Sequence, residues 1–204
     1  MSELNALQDL FTECGGEKWT WGLPGAKLPG IPWNFTGSPN PCADGWQGVS
    51  CTYLVSDGFE HVTKLLLKTM NLKGNLPETI AQLIMLQQLD LSVNSIVGTI
   101  PDAIGAFSYL VDLYLNSNLF SGSIPIAVGN ISNLEVISLQ ANNLIGTIPN
   151  TLCNCSALVA LRAHVNALTG TLPACLMMIP TFSVLVLYVN MLSGPLPDTY
   201  ANHS

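Results

Sequence analysis

Residues 86–101 read LQQLDLSVNSIVGTIP, residues 110–125 read LVDLYLNSNLFSGSIP and residues 134–149 read LEVISLQANNLIGTIP. The phrase returns every 24 residues without slippage. Gly74, Gly98, Gly122, Gly146, Gly170 and Gly194 hold one position in it, and Pro77, Pro101, Pro125, Pro149, Pro173 and Pro197 follow three residues later. A fixed period of this kind marks stacked supersecondary units, each burying its apolar side on its neighbours. Such a stack offers a long regular surface rather than a natural cleft, which directs the search for function toward binding.

Counting back from each glycine gives four registered columns. Twelve residues before it stand Val62, Leu86, Leu110, Leu134, Leu158 and Phe182. Nine before are Leu65, Leu89, Leu113, Ile137, Leu161 and Leu185, and seven before are Leu67, Leu91, Leu115, Leu139, Ala163 and Leu187. The last two columns are two residues apart, so their side chains share one face of a short strand. Six parallel strands are expected, beginning near Val62, Leu86, Leu110, Leu134, Leu158 and Phe182. Four before the glycine stand Met70, Asn94, Asn118, Asn142, Asn166 and Asn190. An Asn inside a buried turn can bond backbone groups left without partners, and a stack of them forms a ladder. Met70 interrupts it in the first coil, which no coil precedes. The glycine permits positive φ, and the proline ends the extended segment.

The phrase LxxLxLxxNxLxGxIP closely resembles the plant-type leucine-rich repeat of receptor kinases, receptor-like proteins and polygalacturonase inhibitors. The resemblance covers six consecutive repeats. It implies an α/β fold, a right-handed curved solenoid with a parallel sheet on its concave side and a second short sheet at the Gly-x-Ile-Pro stretch. Residues 62–204 would form the six repeats, with no C-terminal cap, and residues 1–61 an N-terminal cap.

The cap region is non-repetitive and holds all four tryptophans, Trp19, Trp21, Trp33 and Trp46. An open solenoid end exposes core, so something amphipathic must cover it. Leu4, Leu7, Leu10 and Phe11 follow helical spacing and are expected to bury against the first coil. PCADGWQGVSC, residues 41–51, resembles the cap of plant-type repeat proteins, and that resemblance implies a disulfide between Cys42 and Cys51. The opening ALQDLFTECGGEKW looks more like the cap of protist and bacterial relatives. Cys14 reads as an unpaired thiol of the cap helix and Cys155 as a small buried apolar side chain. Cys153 and Cys175 lie on neighbouring coils at offsets of seven and five from their glycines, and whether they bridge is open, because their Cα separation cannot be derived from the repeat.

Charged residues are only 9% of the chain and hydrophobic ones 49%, so the surface must consist largely of Asn, Ser, Thr, Gly and Gln. Six basic against 13 acidic residues give a net charge of −7, with no Lys/Arg cluster for a nucleic-acid backbone. No run of about 18 apolar residues spans a membrane. The N-terminus MSELNALQDLF lacks the basic start and apolar core of a signal peptide; it was removed, or this is a segment of a longer product, or the protein is cytosolic. Asn34, Asn130, Asn154 and Asn202 begin sequons, which permit glycosylation only in a secreted chain. With the cap cysteines they favour an extracellular or cell-surface compartment.

Catalytic chemistry finds no constellation. His61 falls just before the first expected strand, His203 in a core-facing column, and His164 beside Gln140 and Tyr188 with no nucleophile to serve. Cys153-x-Cys155 lacks the spacing and the companions of a zinc site. We expect no enzyme, no metal and no cofactor. The exposed concave columns are instead expected eight before glycine (Leu66, Asp90, Tyr114, Ser138, Arg162, Val186) and six before it (Lys68, Ser92, Asn116, Gln140, His164, Tyr188). Tyr and Arg are strong interface anchors, which makes Tyr114, Asn116, Gln140, Arg162, His164 and Tyr188 the candidate site for a protein or peptide. An alternative is a structural or surface-adsorbing solenoid, ice-binding among them, using the column after glycine (Asn75, Thr99, Ser123, Thr147, Thr171, Pro195). Phe182, Leu185, Leu187, Leu192 and Leu196 belong to an open C-terminal end where further repeats, a partner or self-association would find apolar surface.

Overall fold

The computed structural model describes residues 2–21 and 30–195. Leu196, Pro197, Tyr200, Asn202 and His203 lie outside the described residues. In chain order the elements are α1 (Ser2–Glu13), β1 (Val49–Leu54), β2 (Phe59–Leu66), β3 (Lys73–Asn75), β4 (Gln88–Asp90), β5 (Ser95–Val97), β6 (Asp112–Tyr114), β7 (Ser121–Ser123), β8 (Val136–Ser138), β9 (Asn143–Thr147), β10 (Ala160–Arg162), β11 (Ala167–Gly170), β12 (Val184–Val186) and β13 (Met191–Leu192).

The concave sheet runs in the order β1-β2-β4-β6-β8-β10-β12. From β2 onward every pairing is parallel and joins equivalent repeat positions, Leu89 to Leu113, Leu113 to Ile137, Ile137 to Leu161 and Leu161 to Leu185. Register is fixed because a one-residue slip would turn each buried Leu to solvent. From β4 on, the strands start two residues later than the leucine spacing predicts. Leu86, Leu110, Leu134 and Leu158 are fully buried, but they sit in the turn that feeds the strand, and each donates its N–H three residues back, as Leu86 does to Leu83. A second set of strands flanks the glycines in two pieces, β3-β5 and β7-β9-β11-β13, joined by a bridge between Thr99 and Ser121. The repeat glycines there all have positive φ, 73° at Gly122 to 106° at Gly74. Each phrase proline from Pro77 to Pro173 stands immediately before a 3₁₀ turn (Glu78–Gln82, Asp102–Ala106, Ile126–Asn130, Asn150–Asn154, Ala174–Met178) that forms the convex side.

From coil two to coil six the asparagine ladder is complete. Asn118 donates from Nδ2 to the carbonyls of Leu91 (2.9 Å) and Leu115 (3.2 Å) and accepts the N–H of Ile96 at 3.0 Å. Two of these three partners belong to the preceding coil. Met70, fully buried, has no such coil behind it, and its carbonyl takes the N–H of Thr20 from the cap instead.

The cap covers the first coil with α1, whose Leu7 and Leu10 are fully buried and whose Leu4 and Phe11 pack beside them. An aromatic cluster lies under it: Trp33 stacks on Trp46 at 5.5 Å and meets Trp19 edge-on at 5.1 Å. Cys42 and Cys51 are disulfide-bonded with Cα atoms 5.6 Å apart, closing the loop that contains Trp46. His61 is inside a strand rather than before one. β1 and β2 form an antiparallel hairpin, so β2 starts at Phe59 and the 61/62 position lies within it. At the other end Leu172, Leu185, Leu187 and Leu192 line a cavity of about 330 Å³.

Candidate functional site

Tyr114 and Arg162 are the last residues of β6 and β10, and Gln140, His164 and Tyr188 come two residues after β8, β10 and β12. Inter-coil hydrogen bonds hold this second row side by side: Ser117 N–H to Gln140 O at 2.8 Å, Ala141 N–H to His164 O at 3.0 Å and Val165 N–H to Tyr188 O at 3.0 Å. All six candidate residues therefore share the concave face of coils three to six. With about 4.8 Å between strands the patch is about 14 Å long.

Within it, the His164 and Tyr188 rings stack at 4.3 Å with an interplanar angle of 26°. Tyr188 is 61% exposed while Tyr114, Asn116, Gln140, Arg162 and His164 are half-buried. Gln140 Oε1 and His164 Nδ1 are buried and have no hydrogen-bond partner among the described residues. Two adjacent orphaned polar atoms in one row carry a desolvation cost that a ligand's donors and acceptors would relieve. Asn116 donates from Nδ2 to Ser117 Oγ at 3.3 Å.

Sequence reasoning missed Asp112. It shares a strand face with Tyr114, whose hydroxyl donates to Asp112 Oδ1 at 3.4 Å. Burial raises the Tyr114 hydroxyl above its ordinary pKa of 10.0, the charges of Asp112 and Asp90 add to this, and Arg162 opposes it. The signal was the period of two, which puts residues 112 and 114 on one side. The concave face is thus acidic over coils two and three, at Asp90 and Asp112, and basic at Arg162 in coil five. Ser92 and Ser138, expected on the exposed columns, are only 3% exposed, because larger neighbours close over a small side chain on an inward-curving sheet.

Elsewhere, Cys153 and Cys175 form a second disulfide with Cα atoms 5.7 Å apart, across the convex turns of coils four and five. Cys155 is a buried free thiol, and so is Cys14, which sits one residue beyond α1 rather than in it. Asn34, Asn130 and Asn154 are exposed. Among the described residues no helix is long and apolar enough to cross a membrane.

The family model described as Leucine Rich Repeat matches residues 85–107 and 133–155. A curated kinase-like protein of Arabidopsis thaliana, TMKL1, is 35% identical over 82 residues, 38% of this chain, and the chain spans only 12% of that relative's length. The ectodomain of the Arabidopsis thaliana receptor kinase SOBIR1 is 30% identical with a TM-score of 0.76, covering 96% of this chain and 97% of that one. The ectodomain of the Arabidopsis thaliana receptor kinase GASSHO1/SCHENGEN3, solved with CASPARIAN STRIP INTEGRITY FACTOR 2, is 34% identical with a TM-score of 0.65 over 67% of this chain and 16% of its own. A plant ice-binding protein is 26% identical with a TM-score of 0.79 over 98% of this chain and 60% of its own.

Proposed function

Because this chain belongs to the leucine-rich repeat family and aligns along nearly its whole length with a receptor-kinase ectodomain, we propose that it is a non-catalytic recognition module working outside the cell. Residues 1–61 serve as its cap and residues 62–204 carry the ligand surface. The partner is a protein or peptide held on Tyr114, Asn116, Gln140, Arg162, His164 and Tyr188. One observation carries the reading: Gln140 Oε1 and His164 Nδ1, on neighbouring coils of one row, are buried and unpartnered among the described residues, with the exposed Tyr188 ring stacked on His164. A bare scaffold gains nothing from that arrangement. The role is receptor-like, in line with the complex of GASSHO1/SCHENGEN3 with CASPARIAN STRIP INTEGRITY FACTOR 2, and an inhibitor of a wall-degrading enzyme is its variant. In a secreted chain Asn34, Asn130 and Asn154 carry glycans, and on the convex side Asn130 and Asn154 leave the concave face open.

The test is capture of partners from the extracellular fraction, followed by titration calorimetry. Alanine at Tyr114 or Arg162 should weaken the captured partner by more than about 1 kcal/mol. Equal loss from Asn130→Ala, with none from these two, overturns the choice of face.

A second reading has one observation in its favour. Thr99, Ser123, Thr147 and Thr171, in or next to the second set of strands, are exposed, each offset by two residues from the next in the register, and a plant ice-binding protein shares the fold at 26% identity. Thermal hysteresis in a freezing assay separates the two readings, since a peptide-binding module gives none.

A further inference from the structure

Cap and first coil meet along a seam. The chain leaves α1 through Gly15, whose φ of 68° turns it into the 3₁₀ turn Gly16–Lys18. Three hydrogen bonds fasten this segment to coil one: Asn71 Nδ2 donates to Lys18 O at 2.9 Å, Lys73 N–H to Cys14 O at 3.0 Å and Thr20 N–H to Met70 O at 3.0 Å. The Gly16 backbone lies against the Phe11 ring, where any side chain would strike it, and Trp19 at 5.4 Å and Phe35 at 5.3 Å hold that ring in place. These parts line a cavity of about 450 Å³, larger than the one at the open end, with Phe11 in its wall and Thr12, Glu17, Lys18, Asn71 and Lys73 around it. Small-molecule sites fall in this range of size and join an apolar wall to a few placed polar groups.

Two of the six basic residues of a chain with net charge −7 thus meet at one cavity. Both are exposed, and neither has a carboxylate partner among the described residues. Lys73 is the only charged residue in β3, β5, β7, β9, β11 and β13, so the second set of strands carries charge only where it meets the cap. Against the two ammonium groups the lining sets one carboxylate, Glu17, which leaves a surplus of one positive charge. That surplus matches a single carboxylate. A compact dianion would be repelled by Glu17 and would find no arginine fork to grip it. Thr12 Oγ1 donates to Gln8 O and Asn71 spends its amide on Lys18 O, so the Thr12 oxygen, Asn71 Oδ1 and Glu17 are left to accept hydroxyl protons. The aromatic wall offers an apolar surface to the C–H face of a saturated ring. We propose that this seam binds an acidic sugar, a hexuronate ring lying on Phe11 with its carboxylate at Lys18 and Lys73 and its hydroxyls on Thr12, Asn71 and Glu17. The site is separate from the concave face and does not depend on what that face binds.

The isotope-labelled 204-residue chain is titrated with glucuronate, glucose, glutamate and sulfate, and its amide shifts are followed by NMR. Glucuronate should bind saturably in the millimolar range and move the amides of Gly15, Gly16 and Lys73. Glucose, which lacks the charge, should bind about tenfold more weakly. A Lys18→Gln/Lys73→Gln variant should lose about tenfold toward glucuronate and no longer prefer it to glucose. Both lysines are exposed, so this variant should melt with the parent. Lys64→Gln/Lys68→Gln, which removes the same charge elsewhere on coil one, should bind glucuronate like the parent. Absence of a saturable shift, equal affinity for glucose, glutamate or sulfate, or unchanged binding by the first variant overturns the proposal. Equal loss in both variants reduces the effect to bulk charge and overturns it as well.

Discussion

Asn118 and Asn142 show how one side chain can replace a missing strand. Each is under 10% exposed and holds three backbone groups that no sheet reaches. Asn118→Ala strands the N–H of Ile96 in a dry turn and takes one of two donors from the carbonyls of Leu91 and Leu115, which keep Asn94 and Asn142. We expect it to cost about 1–3 kcal/mol in urea unfolding, the penalty of an unmet buried group added to the lost bonds. A loss below that of an exposed Asn133→Ala change would refute the ladder as a stabilising device. The ladder was legible in the sequence because it repeats. The two free thiols were legible only in part. Burial pushes Cys14 up to about 12, with the Glu13 charge adding, and pushes Cys155 up to about 11. Thiolate is the reactive species, so neither should react with iodoacetamide at pH 8 in the folded chain, and both should react in denaturant. Native labelling of either residue, read by mass spectrometry, would contradict its burial.

The β1–β2 hairpin was hidden at the level of elements, although its signal was present. Asp57-Gly58 between two β-rich runs is a strong hairpin cue, but the 24-residue phrase drew the first strand to Val62 and left the segment before it unread. Its consequence is a clamp. His61 Nε2 lies 2.8 Å from Asp57 at the hairpin turn, and Nδ1 lies 3.1 Å from Glu3 of α1, whose other oxygen accepts the N–H of Val62 at 3.3 Å. Thr52, opposite on β1, is neutral, and Glu60 points to the other face of the strand. Asp9 is about 9 Å further along α1. Both ring nitrogens donate only in the imidazolium. Burial works against that charged form, yet the hydrogen bonds to Asp57 and Glu3 and their charges outweigh it and raise the pKa above 6.5. The stabilisation is therefore whole below 6.5 and is lost as pH rises through the folded value. The Asp57 carboxyl is held below 3.8, first by the Phe59 N–H and then by His61, so its share is present above 3.8 and is lost as pH falls through its folded value. Between these limits α1 and the hairpin are pinned to coil one. The melting midpoint of the parent should fall from pH 6 toward pH 8.5 relative to His61→Gln. Parallel curves would rule out the clamp.

For the whole molecule, core and parallel strand order were legible in the repeat and curvature in the family resemblance, and the repeat failed where contacts cross columns. Cys153 and Cys175 sit at different offsets, and only the stacking of the 3₁₀ turns on the convex side brings their Cα atoms to 5.7 Å. That staple makes stability uneven along the stack. In a solenoid each coil is stabilised by its neighbours, so protection depends on having one on both sides. Coils two to five have both, and coils four and five are also tied covalently. Coil six has a neighbour on one side among the described residues, and its Leu185, Leu187 and Leu192 remain half-buried around the 330 Å³ cavity. Closing 22 residues of sequence should add about 3 kcal/mol to the stapled pair by restricting the unfolded chain. Hydrogen exchange should therefore fall steeply in protection between β10 and β12, not gradually from the middle outward. A Cys153→Ser/Cys175→Ser variant should move that boundary inward, lowering protection in β10 toward that of β12 while β4 and β6 keep theirs. Equal protection of β10 and β12 in the parent, or loss spread evenly over all coils in the variant, would mean that the stack unfolds as a single cooperative unit and that the staple adds nothing local.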